Sequence, residues 1–279
     1  MDADPEPGVR YAVKLWSAGL AGIVGTTVVF PIDLVKTRLQ MLSPGFKSQS
    51  NIVKMVKDIA YAGQGWRALY SGLSATLIGV TPEKMIKLVA NDAARDLLAK
   101  RFHCTTNDHT GRELPTMLGM LAGGFAGMAQ FVVTCPMEAV KIKMQMDPGK
   151  SLLTIIREIG PVRTLYRKGG PATLLRDVPF SMLIFSLNAE FKQAIFEDTF
   201  MGHLKSGLAA GCLAAFLATP LDVIKTRVQG GRAKSIQDAC KQIYTERVFF
   251  KGALQRVMII APQFGIALSL YEAQQRFLL

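Results

Sequence analysis

The chain is poor in the residues that do most enzyme chemistry. Its three histidines, His103, His109 and His203, are scattered along 279 residues. No Gly-rich phosphate loop and no Ser/His/Asp constellation accompanies them, which argues against a soluble enzyme. Four cysteines (Cys104, Cys135, Cys212, Cys240) sit far apart. With no metal or disulfide spacing they read as buried, inert thiols, and neither a metal site nor a cofactor is expected. Charge is scarce at 19%, and acid is the scarcer sign, with 21 Asp+Glu against 33 Lys+Arg and a formal charge of +12. There is no run of five or more Lys/Arg, so the excess does not read as a nucleic-acid module. The N-terminal MDADPEPGVRYAV has neither a charged segment followed by an apolar run nor an Arg-rich amphipathic stretch. Any membrane address is therefore expected within the mature chain. At 49% hydrophobic, the sequence is too apolar for a disordered basic tail. A membrane protein or a soluble domain with a large core remains.

A repeat decides between them. Pro31-Ile-Asp-Leu-Val-Lys-Thr-Arg-Leu-Gln40, Pro136-Met-Glu-Ala-Val-Lys-Ile-Lys-Met-Gln145 and Pro220-Leu-Asp-Val-Ile-Lys-Thr-Arg-Val-Gln229 share Pro-x-acid-x-x-Lys-x-base-x-Gln, their prolines 105 and 84 positions apart. Nine residues before each proline stands Gly22, Gly127 or Gly211, and thirteen before stands Ala18, Gly123 or Gly207. Small residues four apart let helices approach closely in lipid. Downstream, Gly72, Gly169 and Gly252 each follow an aromatic patch and precede Pro82, Pro179 and Pro262 by ten residues. The chain thus reads as a single domain, 1–279, of three units: 10–101, 113–197 and 202–279.

Each unit holds two long apolar segments. The clearest, Leu114 to Met137, is uncharged until the acid that follows it and long enough for a bilayer of roughly 30 Å. Charges such as Lys14, Lys84 and Lys87 mark faces that meet water rather than lipid. Ile52–Tyr61, Leu152–Ile159 and Ile236–Tyr244 are too short to span and fit surface helices. The expected fold is all-α: six tilted transmembrane helices in a threefold pseudo-symmetric bundle, with three short amphipathic helices on one side.

Within each motif the proline permits a kink, and the acid and Lys, three apart, share a helix face. In a threefold ring each helix offers its acid to one neighbour and its Lys to the other. The expected pairs are Asp33–Lys141, Glu138–Lys225 and Asp222–Lys36, braced by Gln40, Gln145 and Gln229. Charges at membrane depth are costly unless paired or wet, so this ring should form when the cavity shuts on that side and break when it opens.

This threefold pattern, covering essentially residues 10–277, resembles the mitochondrial carrier family. The resemblance implies a transporter rather than an enzyme, monomeric, in the inner mitochondrial membrane, with a central site exposed alternately to each side. It makes the motif ring the matrix gate and puts the termini toward the intermembrane space. It also makes Gly72, Gly169 and Gly252 look like cardiolipin sites, where helix N-terminal amides meet lipid phosphate. The family's intermembrane-space gate, aromatic-acid-x-x-base, is incomplete here: Asn91-Asp92-Ala-Ala-Arg95 lacks the aromatic, Asn188-Ala-Glu-Phe-Lys192 the acid, and Tyr271-Glu272-Ala-Gln-Gln275 the base. Two pairs, Asp92–Lys192 and Glu272–Arg95, are expected. This gate should be the weaker one, leaving the empty carrier open to the intermembrane space.

The internal register puts Gly79, Arg176 and Ile259 seven past the glycines, and Thr76, Thr173 and Arg256 four past. Arg176 and Arg256, read as unpaired at mid-membrane, favour an anionic ligand, and Asp177 suits one that also carries an ammonium. An internal Arg176–Asp177 pair is the plainer alternative. Leu175–Ser181 and Gly79–Leu88 resemble the glutamate and aspartate/glutamate carriers. With Glu83, Lys87 and Gly79 these residues form the expected substrate site. The short lead before the first helix, and Ile259 where the exchanger has a second arginine, favour the glutamate carrier; Pro262-Gln-Phe-Gly265 and Tyr271-Glu272 are closer to the exchanger. The implied reaction is glutamate uptake with a proton, or exchange for hydroxide, with Glu83 and then Asp177 as candidate proton carriers. Aspartate/glutamate exchange, and a proton-conducting or structural carrier-fold protein, remain as alternatives.

Overall fold

A computed structural model describes residues 7–42, 69–70, 73–102, 114–146, 166, 170–194, 199–229, 233, 235–250 and 252–278. Eight helices make up these described residues: α1 (Pro7–Leu42), α2 (Leu73–Arg101), α3 (Thr116–Met146), α4 (Gly170–Ala194), α5 (Phe200–Leu217), α6 (Thr219–Gln229), α7 (Ile236–Glu246) and α8 (Ala253–Leu278). The long helices pack in a closed ring, α1 on α2, α2 on α3, α3 on α4, α4 on α5, α5 on α8 and α8 back on α1.

Four stretches are long and apolar enough to cross a membrane: Gly8–Leu34, Thr116–Cys135, Phe200–Leu217 and Ala253–Leu278. Their outer faces carry exposed apolar stripes at helical spacing, such as Leu20, Val24, Val28 and Ile32 on α1, and Met117, Leu121, Phe125, Met128 and Val132 on α3. In water such stripes would be a liability; in lipid they are the solvated face. The interior is the polar part, with Lys14, Lys84, Lys87, Asn91, Gln130, Asp177 and Asn188 all buried. The charges that lower the hydropathy of α2 and α4 turn inward between apolar neighbours, so both complete a six-span ring.

Small residues set the helix spacing. An added Cβ at Gly123 would lie 2.6 Å from the Ser181 carbonyl oxygen, and one at Gly127 would lie 2.9 Å from Val178 Cα, so α3 and α4 touch backbone to backbone. Gly207 and Gly211 do the same for α5 against Gly265 and Ala261 of α8, at 2.9 and 2.8 Å. Gly22 approaches Lys84 of α2, at 3.1 Å. With no hydrophobic drive between helices in lipid, this contact supplies the dispersion that holds each pair.

Prolines redirect the helices as their missing N–H dictates. Pro220 follows a break at Ala218, where α5 stops and α6 starts. Pro31, Pro82, Pro179 and Pro262 lie inside α1, α2, α4 and α8. The aromatic patches meet aromatics near the motif prolines: Tyr70 on Phe30, Tyr166 on Phe131 and Phe250 on Phe216, with centroids 6.3, 5.4 and 4.8 Å apart. Gly252 sits at φ +87°, a left-handed turn that launches α8 and that a side chain would strain.

Of the three expected surface helices, the third is α7, capped by the Ser235 hydroxyl and packed through Ala239 and Ile243 onto Ile224 and Ala233. The other two segments lie outside the described residues. The cysteine expectation needs correction: Cys135 is buried, but Cys212 and Cys240 are exposed, and Cys104 is outside the described residues. Cys212 lies on the outer face of α5 beside exposed Leu213 and Phe216, a face an apolar thiol can share with lipid.

Candidate functional site

The ring encloses a cavity of about 570 Å³. It runs from Lys87, Phe180 and Phe264 in the middle of the bundle to Asp33, Asp222 and Thr226 at the motif end. α2 contributes Thr76, Val80, Glu83, Lys84 and Lys87; α4 contributes Arg176 and Asp177; α8 contributes Arg256 and Ile259. Val80, the neighbour of Gly79, lines the cavity from α2.

Arg176 and Arg256 both face the cavity, but neither is unpaired. Arg176 holds the adjacent Asp177 through Nε at 2.5 Å. Arg256 Nη1 lies 2.8 Å from Asp222 Oδ1, and Arg176 Nη1 lies 3.9 Å from the same oxygen. The plainer reading of the Arg176–Asp177 neighbours is therefore the observed one, and Asp222 completes the cluster from α6. The physical reason is desolvation: a guanidinium at this depth is stable only beside a carboxylate, and the chain supplies one to each.

The lysines of α2 are held differently. Lys84 and Lys87 are 5% and 2% exposed, and neither makes an ion pair or hydrogen bond among the described residues. Their ammoniums lie against rings instead: Lys84 Nζ is 3.5 Å from the Phe264 centroid, and Lys87 Nζ is 4.6 and 5.0 Å from those of Phe180 and Phe264. Glu83 accepts from Gln130 Nε2 at 2.9 Å. Two acceptors at the site are buried without a partner among the described residues, Asp177 Oδ2 and Gln130 Oε1.

Beyond Phe264 the bundle is packed shut by Leu88, Phe180, Ile184, Phe185, Leu268 and Tyr271. At that end the expected pairs Asp92–Lys192 and Glu272–Arg95 are both replaced. Lys192 reaches Glu272 at 2.5 Å, with His203 Nδ1 at 2.8 Å from the same carboxylate. Asp92 takes Lys14 at 3.3 Å and the Tyr271 hydroxyl at 2.6 Å. Arg95 lies against α3 near Gly119, its Nε without a partner among the described residues. The motif gives the charge on each even-numbered span but not which way round the ring it reaches. It also omits Lys14 and His203, which come from odd-numbered spans. This end is closed and the cavity lies on the motif side, contrary to the expectation of a carrier open at the Asp92–Glu272 end.

At the motif end, Asp33 and Asp222 line the cavity and Lys225 is buried. The side chains of Lys36, Gln40, Glu138, Lys141, Gln145 and Gln229 lie outside the described residues, as do Gly72 and Gly169. The last base of the third motif copy, Arg227, pairs with Glu246 of α7 at 2.5 Å and so clamps the surface helix to α6. That role was not visible in the motif, because Glu246 lies 19 residues further on.

A polar, charge-lined cavity inside a ring of lipid-facing helices is the architecture of a membrane-embedded solute transporter. The family described as mitochondrial carrier protein matches residues 8–102, 112–199 and 196–279, and the chain belongs to the mitochondrial carrier family. It is 42% identical over 286 aligned positions to mitochondrial substrate carrier family protein X of Dictyostelium discoideum, covering 95% of this chain and 91% of that protein. It is 37% identical over 312 positions to mitochondrial glutamate carrier 2 of Mus musculus, covering 94% and 93%. It is also 37% identical over 298 positions to the mitochondrial electrogenic aspartate/glutamate antiporter of Homo sapiens, covering 95% of this chain but 41% of that protein.

Proposed function

We propose that this chain carries glutamate with a proton, equivalently in exchange for hydroxide, across the inner mitochondrial membrane by alternating access, acting as a monomer. The observation that carries the reading is the charge balance of the cavity. Its described lining holds Lys84, Lys87, Arg176 and Arg256 against Asp33, Glu83, Asp177 and Asp222, so it is formally neutral. Glutamate brings one net negative charge, and a charge stranded at that depth is costly. A proton taken up with it restores neutrality. Relatives named as a glutamate carrier and as an aspartate/glutamate antiporter support the amino-acid class.

In this reading the structure is the state open on the matrix side. Closure there brings Asp33, Glu138 and Asp222 to Lys141, Lys225 and Lys36, with Gln40, Gln145 and Gln229 bracing, while the Asp92–Lys14 and Lys192–Glu272 contacts part. Cardiolipin phosphate sits at Gly72, Gly169 and Gly252. Gly252 supports this in that it opens α8 beside the apolar groove of Phe216 and Leu254.

Purified protein in liposomes, tested for uptake against a panel of amino and keto acids, decides the substrate. Glutamate uptake that rises as the outside is acidified supports the reading, and uptake of no amino acid overturns it. Aspartate uptake driven by internal glutamate would establish the exchange reading instead; Ile259, apolar in the cavity wall, weighs against that second reading.

A further inference from the structure

We infer that Lys84 and Lys87 beneath Phe180 and Phe264 form an anion subsite of the cavity, and that the ligand's ammonium takes Asp177 Oδ2 and Gln130 Oε1. This deepens the proposed function and rests on the cavity being the transport site.

The argument is one of unused donors and acceptors. Arg256 and Arg176 are already occupied by Asp222 and Asp177. Those contacts commit only part of each guanidinium, and Arg256 Nε meets no acceptor among the described residues. Lys84 and Lys87 each carry three N–H donors, and no carboxylate or hydrogen-bond acceptor meets them among the described residues. A ring face stabilises an ammonium without using those donors. Both side chains are more than nine-tenths buried, yet both line the cavity at its closed end, where a solute entering from the motif side comes to rest. A buried ammonium without an acceptor is expensive, and a ligand carboxylate removes that cost.

The acceptors complete the selection. Among the described residues, Asp177, 3% exposed, gives its Oδ1 to Arg176 while Oδ2 has no donor. Among the same residues Gln130, 2% exposed, has its amide nitrogen on Glu83 and its oxygen without a donor. α2 therefore offers two cations without acceptors, and α3 and α4 offer two acceptors without donors. An acidic amino acid is complementary to both sets: its carboxylates go to the lysines and its ammonium to Asp177 and Gln130. A simple dicarboxylate would leave Asp177 Oδ2 and Gln130 Oε1 unpaired, which is how a site built for hydrogen bonding rejects an analogue.

The test uses the full chain in liposomes and in detergent, comparing wild type with Lys84→Gln and Lys87→Gln. Each variant should raise the KM for glutamate at least roughly tenfold, the fold-change of one lost charged hydrogen bond. The rise in melting temperature that glutamate gives the wild type should fall away, while the ligand-free melting temperature holds. A wild-type KM and a wild-type ligand shift in both variants would overturn the subsite. So would a drop in ligand-free melting temperature with KM unchanged, which marks the lysines as structural. If the wild type ignores glutamate, the proposed substrate fails by itself. The subsite is then judged on the anionic solute from the panel that does shift the wild type: dependence on both lysines supports it, and independence overturns it.

Discussion

Arg256 of α8 and Asp222 of α6 are joined across the cavity by a 2.8 Å contact, so the motif acid of the third repeat serves as counter-ion to a cavity arginine. Its expected gate partner is Lys36, which makes Asp222 a carboxylate with two prospective cations. Removing it should strand Arg256, whose side chain is 10% exposed. Loss of one partner from a buried pair costs about 3–5 kcal/mol, and the cavity-facing side of this one reduces that to roughly 1–3 kcal/mol. Asp222→Asn should therefore lower the melting temperature in detergent, and adding Arg256→Gln to it should recover part of the loss. Strictly additive losses in the double-mutant cycle would show that the contact carries no coupling.

Helix spacing gives a second prediction. Gly123→Ala places a methyl 2.6 Å from the Ser181 carbonyl oxygen, and Gly211→Ala places one 2.8 Å from Ala261 Cα. Both obstacles are backbone, so the helices must separate, at a cost of about 1–3 kcal/mol each. Gly124→Ala meets only the flexible Met182 side chain, at 3.3 Å, and Gly8→Ala meets nothing within 4 Å. Thermal unfolding should rank Gly123 and Gly211 well below Gly124 and Gly8. Equal melting temperatures across the four would mean that the contacts do not set the spacing.

Much of this was legible in the sequence because repetition converts weak signals into a strong one. Gly22, Gly127 and Gly211 carry little information singly, but at one offset from three prolines they mark the faces where α1, α3 and α5 meet their neighbours. The cavity lining at Arg176 and Arg256 followed from the same register. Pairing did not follow. A motif states that Lys192 and Glu272 are charged, not that α4 and α8 meet across the ring, nor that Lys14 and His203 enter from other helices. The partnership of Asp222 with Arg256 joins residues 34 positions apart by a fold-level accident of the α5–α6 break, which no local pattern encodes. Lys87 was expected at the site, but the rings that hold it and Lys84 were not legible, because no local pattern places Phe180 and Phe264 against α2.

The closed end yields a third prediction. Glu272 serves both Lys192 and His203, whereas Asp92 is held separately by Lys14 and Tyr271. Glu272→Gln should leave the Lys192 ammonium and the His203 ring facing a neutral amide and loosen the seal at that end. A cysteine placed at Asn188, which is 7% exposed, should then react faster with a membrane-impermeant thiol reagent than in the parent. Unchanged labelling together with unchanged transport would show that this cluster is not a gate.

The last prediction concerns the proton. Of the cavity carboxylates, Asp33 lies at the motif end and Asp177 and Asp222 each hold an arginine, while Glu83 accepts from the neutral amide of Gln130, at 2.9 Å. A carboxylate beside a guanidinium gives up that attraction if it is protonated; Glu83 gives up one neutral hydrogen bond, which its protonated form can replace by donating. Glu83 is therefore the first position at which to test for the co-transported proton. Wild-type glutamate uptake should fall as the external pH rises, because fewer carriers load both proton and solute. Glu83→Gln fixes a neutral group there, so its uptake should be flat across the same pH range, while glutamate–glutamate exchange persists because it needs no net proton movement. Retained pH dependence in Glu83→Gln would move the proton to Asp177, a buried carboxylate in the same cavity.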